Sequence, residues 1–89
     1  MEVVIVSAAR TPVGSFNGSM AKLASWELGK AAVAGALARA QVDPADVSET
    51  IIGQILTAGQ GPNPARKAAI EAGIPQESPA WGMNQLCGS

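Results

Sequence analysis

Histidine and tyrosine are absent from these 89 residues, and cysteine occurs once, as Cys87. A single thiol excludes an internal disulfide, and with no histidine beside it no metal site is expected. The free thiol fits a reducing compartment, and the cytoplasm is the expected location. Aromatic side chains are scarce: Phe16, Trp26 and Trp81 are the whole set. The six basic residues are scattered and the net charge is −1. Nucleic-acid surfaces need clustered Lys and Arg, so that class of partner is not expected. No run approaches the roughly 18 uncharged apolar residues that span a bilayer, and no membrane partner is expected. Met1–Val6 does not read as a signal peptide either, because Glu2 stands where a basic region belongs and no long apolar region follows.

What the chain does have is a 47% apolar content, ordinary for a globular protein and too high for a disordered one. Alanine supplies much of it. A chain of this length makes one domain at most, burying a little over about 60% of its unfolded surface. Alanine faces pack closely but bury little area each, so a large core must come from neighbours. The composition therefore points to a layer within a bigger assembly.

Val3–Ser7 is a run of β-branched residues, the pattern of a strand covered on both faces. Residues 8–24 contain Thr11-Pro12, Gly14 and Asn17-Gly18, and read as a long loop. Ser25 is placed as the N-cap of a helix reaching about Ala40, with Leu28, Ala31, Ala32, Gly35 and Ala36 on one side. Asp43-Pro44 opens a very short helix ending near Val47. Thr50–Thr57 reads as a second strand. After the Gly-rich loop Ala58–Pro62, Asn63-Pro64 starts a helix through Ala72, which Gly73 ends. Ala80–Leu86 reads as a third strand, which Gly82 weakens. Strand, helix, strand, helix, strand is the order of an α/β layered fold.

Gly59-Gln60-Gly61 sits between a strand and a helix, where dinucleotide loops also sit. The third glycine is missing and no Gly-Lys-Ser/Thr follows, so a plain tight turn is the better reading. Arg66 and Lys67 read as solvated or paired surface charges, with a coenzyme phosphate as the alternative. Cys87 has two readings. A lone free cysteine is commonly a buried apolar residue. Here a strand-like segment ends at Leu86, and Gly88-Ser89 are small enough for a sharp strand-to-helix turn. At the N-terminus of such a helix, unpaired N–H groups and the helix dipole favour the thiolate, the reactive form. Nucleophiles of other acyl-transfer enzymes are exposed at the same kind of turn.

Asn84-Gln85-Leu86-Cys87-Gly88-Ser89 resembles the start of the acyl-enzyme signature of thiolases. Three further segments are similar in the same order: Val6 to Gly14, Gly53-Gln54-Ile55-Leu56 and Asn63-Pro64-Ala65-Arg66. The resemblance runs from Met1 to Ser89, and four collinear motifs are far more specific than any one. Gly14 to Gly18 and Ala80 to Asn84 are most similar to the biosynthetic branch, the bacterial acetyl-CoA acetyltransferases.

The resemblance implies a five-layer αβαβα fold of two similar halves, with residues 1–89 an incomplete, amino-terminal portion of the first domain. It implies an acyltransferase in which Cys87 is the catalytic nucleophile, taking the acyl group of acetyl-CoA as a thioester. The carbanion of a second acetyl-CoA then displaces it in a Claisen condensation to acetoacetyl-CoA, reversible by thiolysis. Thiolate suits this role as nucleophile and leaving group, and backbone N–H groups, including that of Cys87, are expected to stabilise the oxyanion. Coenzyme A thioesters are substrates here, and no cofactor is expected. Family members are several times longer, and their catalytic histidine, second cysteine and most coenzyme contacts lie beyond the position of Ser89. These residues alone are therefore expected to be inactive. The expected partners are the rest of the chain and further copies, in a homodimer or homotetramer. The alternatives are a degradative 3-ketoacyl-CoA thiolase and a non-catalytic interaction module that kept the fold. The resemblance further requires Val4, Ile5 and Ile51–Leu56 to be buried in strands.

Overall fold

The computed structural model describes every residue from Met1 to Ser89. The elements follow in the order α1 (Ser25–Ala40), a single 3-10 turn (Pro44–Asp46), β1 (Thr50–Gly53), α2 (Pro64–Glu71) and β2 (Ala80–Met83).

The helix ends are built from local chemistry. Ala24, not Ser25, is the N-cap of α1, with extended backbone at φ −73°, ψ 153°. Its N–H donates to Glu27 Oε2 at 2.7 Å. The Ser25 N–H donates to Gln60 Oε1 at 2.7 Å, so two of the donors that every helix start leaves free find acceptors. At the other end Gln41 turns left-handed (φ 55°), and the Gln41 and Val42 N–H groups bond back to the Ala38 and Leu37 carbonyls. Asp43 caps the 3-10 turn by accepting from the Ala45 N–H at 3.0 Å. Asn63 caps α2 by accepting from the Arg66 N–H at 3.0 Å, and Gly73 closes that helix at φ 96°.

β1 and β2 pair in parallel, with Thr50 opposite Ala80, Ile51 opposite Trp81, Ile52 opposite Gly82 and Gly53 opposite Met83. Parallel neighbours require a crossover, and α2 supplies it. α2 packs against both strands and against α1, and α1 also approaches β1, where a Cβ on Gly29 would lie 3.8 Å from Ile52 Cδ1. The approach of the two helices is close: a Cβ placed on Gly29 of α1 would lie 3.1 Å from the Cβ of Ala68. Six residues are buried: Thr50, Ala65, Ala68, Ala69, Ile74 and Ser78. All but Thr50 lie on α2 or in the connector that follows it, and Thr50 opens β1.

Small residues make a thin core, and the surface area shows it. The chain exposes 6510 Å², whereas a folded monomer of 9.0 kDa is expected to expose about 4,900 Å². The radius of gyration, 13.4 Å, likewise exceeds the roughly 12 Å of a compact 89-residue domain.

Four further expectations are corrected. Val3–Ser7 is not a strand: no backbone hydrogen bond holds it, and Val4 and Ile5 are 61% and 93% exposed. A strand exists through its ladder, and no other strand pairs with this segment. The run continues instead alongside α1, where Arg39 Nη1 donates to the Ala8 carbonyl at 2.8 Å. β1 stops at Gly53 rather than Thr57, and Ile51 is half exposed, because α2 packs on the strands while the face that Ile51 shares with Gly53 meets only the turn ending at Ser89. β2 stops at Met83, with Gly82 inside it. Of the small-residue side of α1, Ala31 points to solvent, and no residue of that helix is fully buried.

Candidate active site

The parallel pair delivers its two C-terminal ends to one place. Beyond β1, the Gln54 N–H still donates to the Met83 carbonyl at 2.9 Å, adding one rung to the ladder. Gln54 Nε2 then donates to Ser25 Oγ at 3.1 Å and to the Leu56 carbonyl at 3.2 Å, which ties the strand exit to the start of α1. Beyond β2, residues 84–89 fold into a tight double turn, and all six are exposed.

That turn is closed by its own backbone. The Gly88 N–H donates to the Gln85 carbonyl at 3.0 Å and the Ser89 N–H to the Leu86 carbonyl at 2.9 Å. The Gln85 N–H donates to Ser89 Oγ at 2.6 Å. Cys87 sits in the middle, four residues past the end of β2, with its thiol exposed and unpaired. Its backbone N–H donates to no carbonyl or side chain. Leu86, immediately before it, has φ 51°. For an L-residue with a Cβ this left-handed conformation costs roughly 1–2 kcal/mol, and such strain gathers at functional sites. The expected sharp turn is present; residues 84–89 contain no helix.

Asn84 was legible only as part of a motif, and the structure gives its side chain a job. Nδ2 donates to the Ile55 carbonyl at 3.1 Å, and Oδ1 accepts from the Leu86 N–H at 2.9 Å. The second bond is an Asx turn, which an asparagine two residues before the leucine could have signalled.

The other candidates take their plainer readings. Gly59 and Gly61 have φ 73° and 90°, and the Gln60 N–H donates to the Thr57 carbonyl at 3.1 Å, as in a tight turn. The N-terminus of α2 is occupied by its own Asn63, whose Nδ2 also holds the Ala80 carbonyl at 3.2 Å. Arg66 Nη1 donates to the Gln76 and Ser78 carbonyls at 2.9 and 3.3 Å and so staples the connector to α2. Lys67 pairs with Glu71 at 3.0 Å and lies 4.9 Å from the Trp26 ring centre. The hydrogen bond from Lys67, with its charge, holds the Glu71 carboxyl below its ordinary value. An open groove of about 470 Å³ runs past Trp26, Gln60, Arg66 and Lys67, away from Cys87. A smaller one, about 310 Å³, lies between Gln54, Thr57, Met83 and Asn84, where the two strand exits meet.

Known proteins match this arrangement along nearly all of its length. The chain is 60% identical over 88 residues to an acetyl-CoA acetyltransferase of Paracoccus denitrificans, covering 99% of this chain and 22% of that protein. It is 52% identical over 87 residues to the cytosolic acetyl-CoA acetyltransferase of Mus musculus, again 22% of that protein. The chain thus spans about a fifth of the length of these relatives. Among solved structures, the Acat5 thiolase from Ascaris suum in complex with coenzyme A superposes with a TM-score of 0.93 at 36% identity. That match covers 96% of this chain and 22% of that one. Val4 and Ile5 are exposed in a chain that superposes on a thiolase with a TM-score of 0.93, so their exposure does not count against the fold, as the burial requirement had implied. The family profile described as thiolase, N-terminal domain, matches residues 3–89, and the chain belongs to the thiolase family.

Proposed function

We propose that residues 1–89 are the amino-terminal portion of a biosynthetic thiolase in which Cys87 carries the acyl group. The observation that carries this reading is Cys87 itself: an exposed thiol on a strained turn, in a chain about 60% identical to acetyl-CoA acetyltransferases. The Cys87 thiolate attacks the carbonyl carbon of acetyl-CoA. The bond to the coenzyme sulfur breaks, and coenzyme A leaves with the proton that a base took from the Cys87 thiol. A second acetyl-CoA loses an α-proton to a base, and its carbanion attacks the Cys87 thioester. The cysteine sulfur departs and acetoacetyl-CoA is released; thiolysis runs these steps backwards. The free backbone N–H of Cys87 supports a role in holding the developing oxyanion, where it is not already bonded to a carbonyl. The bases belong to the rest of the protein, since these residues contain no histidine.

The thin core supports the reading of an incomplete domain. About 1,600 Å² more surface is exposed than a folded chain of this mass requires, and it includes Val3, Ile5 and Phe16. At about 25 cal/mol per Å² even a few hundred Å² of apolar surface left open rivals the whole stability of a small domain. The isolated 89 residues are accordingly inactive and melt without cooperativity, which calorimetry and a thiolysis assay check. The proposal extends to a cytoplasmic homodimer or homotetramer, and the free thiol of Cys87 supports a reducing compartment. The half-exposed Trp81 on β2 favours an assembly that covers this strand, and light scattering measures its mass.

The decisive experiment is acetyl-CoA labelling of the complete protein followed by peptide mass mapping. The acetyl group is expected on Cys87, and Cys87→Ser is expected to lower turnover by about 10³-fold or more. Label on another residue, or wild-type turnover without Cys87, would overturn the assignment.

A further inference from the structure

The two hydrogen bonds of Asn84 reach in opposite directions. Nδ2 holds the Ile55 carbonyl, on the segment leaving β1, at 3.1 Å. Oδ1 holds the Leu86 N–H, one residue before Cys87, at 2.9 Å. One planar amide therefore fixes the distance between the exit of β1 and the cysteine turn. Gly53, the last residue of β1, makes the seat for that turn: a Cβ there would collide with the Ser89 backbone. Leu86 is held at φ 51°, a conformation that a leucine leaves when its surroundings relax. Releasing its N–H removes one of the bonds that keep it there.

We propose that Asn84 is a positioning residue for Cys87, bridging the exit of β1 to the Leu86 N–H so that the thiol is presented in one orientation. The proposal rests on the reading of Cys87 as acyl acceptor. A nucleophile must sit within a few tenths of an ångström of its attack geometry, and a displacement of about 1 Å costs on the order of 100-fold in rate. Asn84 touches no reacting atom and acts through the turn, so its effect falls on kcat and on the reactivity of the thiol, not on substrate affinity.

The test uses the complete protein with Asn84→Ala, Asn84→Ser and Cys87→Ser. Asn84→Ala is expected to lower kcat by about 100-fold with KM within about twofold, and to change the rate at which iodoacetamide alkylates Cys87. Asn84→Ser is expected to fall between alanine and wild type, because a serine hydroxyl can still accept from the N–H two residues on but cannot reach Ile55. Wild-type kcat and alkylation rates in both variants would overturn the proposal. So would a lowered melting midpoint with alkylation unchanged, the mark of a purely structural residue. Should the alanine variant fail to fold, the serine variant decides by the same two readouts. Cys87→Ser separates the two ideas: full turnover there defeats the acyl-acceptor reading, whereas its loss beside unimpaired Asn84 variants defeats the positioning role alone.

Discussion

Residues 1–24 and residues 50–83 carry similar apolar side chains and meet opposite fates. The first stretch begins with a β-branched run and contains Val13, Phe16 and Leu23, yet none of it is buried. The second contains every buried residue of the chain, and three of those six are alanines. Hydrophobicity alone did not decide the outcome. In the second stretch two strands find each other's hydrogen bonds and a helix covers one face, so even Ala65, Ala68 and Ala69 lose their water. In the first, Val3 to Val6 has no ladder and no cover within the chain. Apolar surface becomes stabilising only where another layer meets it.

The largest expected effect breaks this comparison outright. In the complete protein the run at Val3–Val6 is expected to be covered, and Ile5→Ala then costs about 2–5 kcal/mol by chemical denaturation, as for other buried isoleucines. An unchanged midpoint would mean that the run stays in solvent and that the two stretches differ for good. Next comes Ala69→Leu, in the close α2 core, where extra methylenes have no space and cost about 1–3 kcal/mol. A tolerated leucine would show the core to be looser than its exposures of 1–4% for Ala65, Ala68, Ala69 and Ile74 imply.

Asn63→Ala is expected to be milder, at about 0.5–2 kcal/mol, through loss of the α2 cap and of the bond to the Ala80 carbonyl. Circular dichroism during denaturation reports it, and the cost should exceed that of an alanine placed at Asp43, which caps only the 3-10 turn. The smallest effect belongs to the Lys67–Glu71 pair. The Glu71 carboxyl is held below its ordinary value, so whatever it adds is present above its unfolded pKa and is lost as pH falls through the folded one. Because the pair lies at the surface and is screened, Glu71→Gln is expected to leave the melting curve unchanged from pH 7 down to pH 3, at low and high salt alike.

How well the residues foretold the structure depended on the range of the signal. Asp43-Pro44, Asn63-Pro64 and Gly73 marked their helix boundaries, because each acts on backbone groups two to four residues away. Ser25 misled by one position. A serine is a fair cap, but Glu27 reaching back to the Ala24 N–H and Gln60 taking the Ser25 N–H moved the cap to an alanine. The first of these is local and the second spans 35 residues, beyond any pattern read in a window. Cys87 was legible as a candidate from Asn84 to Ser89. The clamp from Asn84 to Ile55 was not, because it joins residues 29 apart.

The sequence by itself determined the helices, the caps at Asp43 and Asn63, the long early loop and the membership signalled by four collinear motifs, since these depend on neighbours along the chain and on residue identity. Tertiary structure decided which β-branched run became a strand. Val3–Ser7 and Thr50–Gly53 have the same local preference, but only the second has Ala80–Met83 beside it to accept and donate. It also decided what the thiol at Cys87 faces, because the turn that holds it is pinned from β1, a strand that ends more than thirty residues earlier. A strand and a site are relations between distant segments, and no single segment contains the partner that completes them.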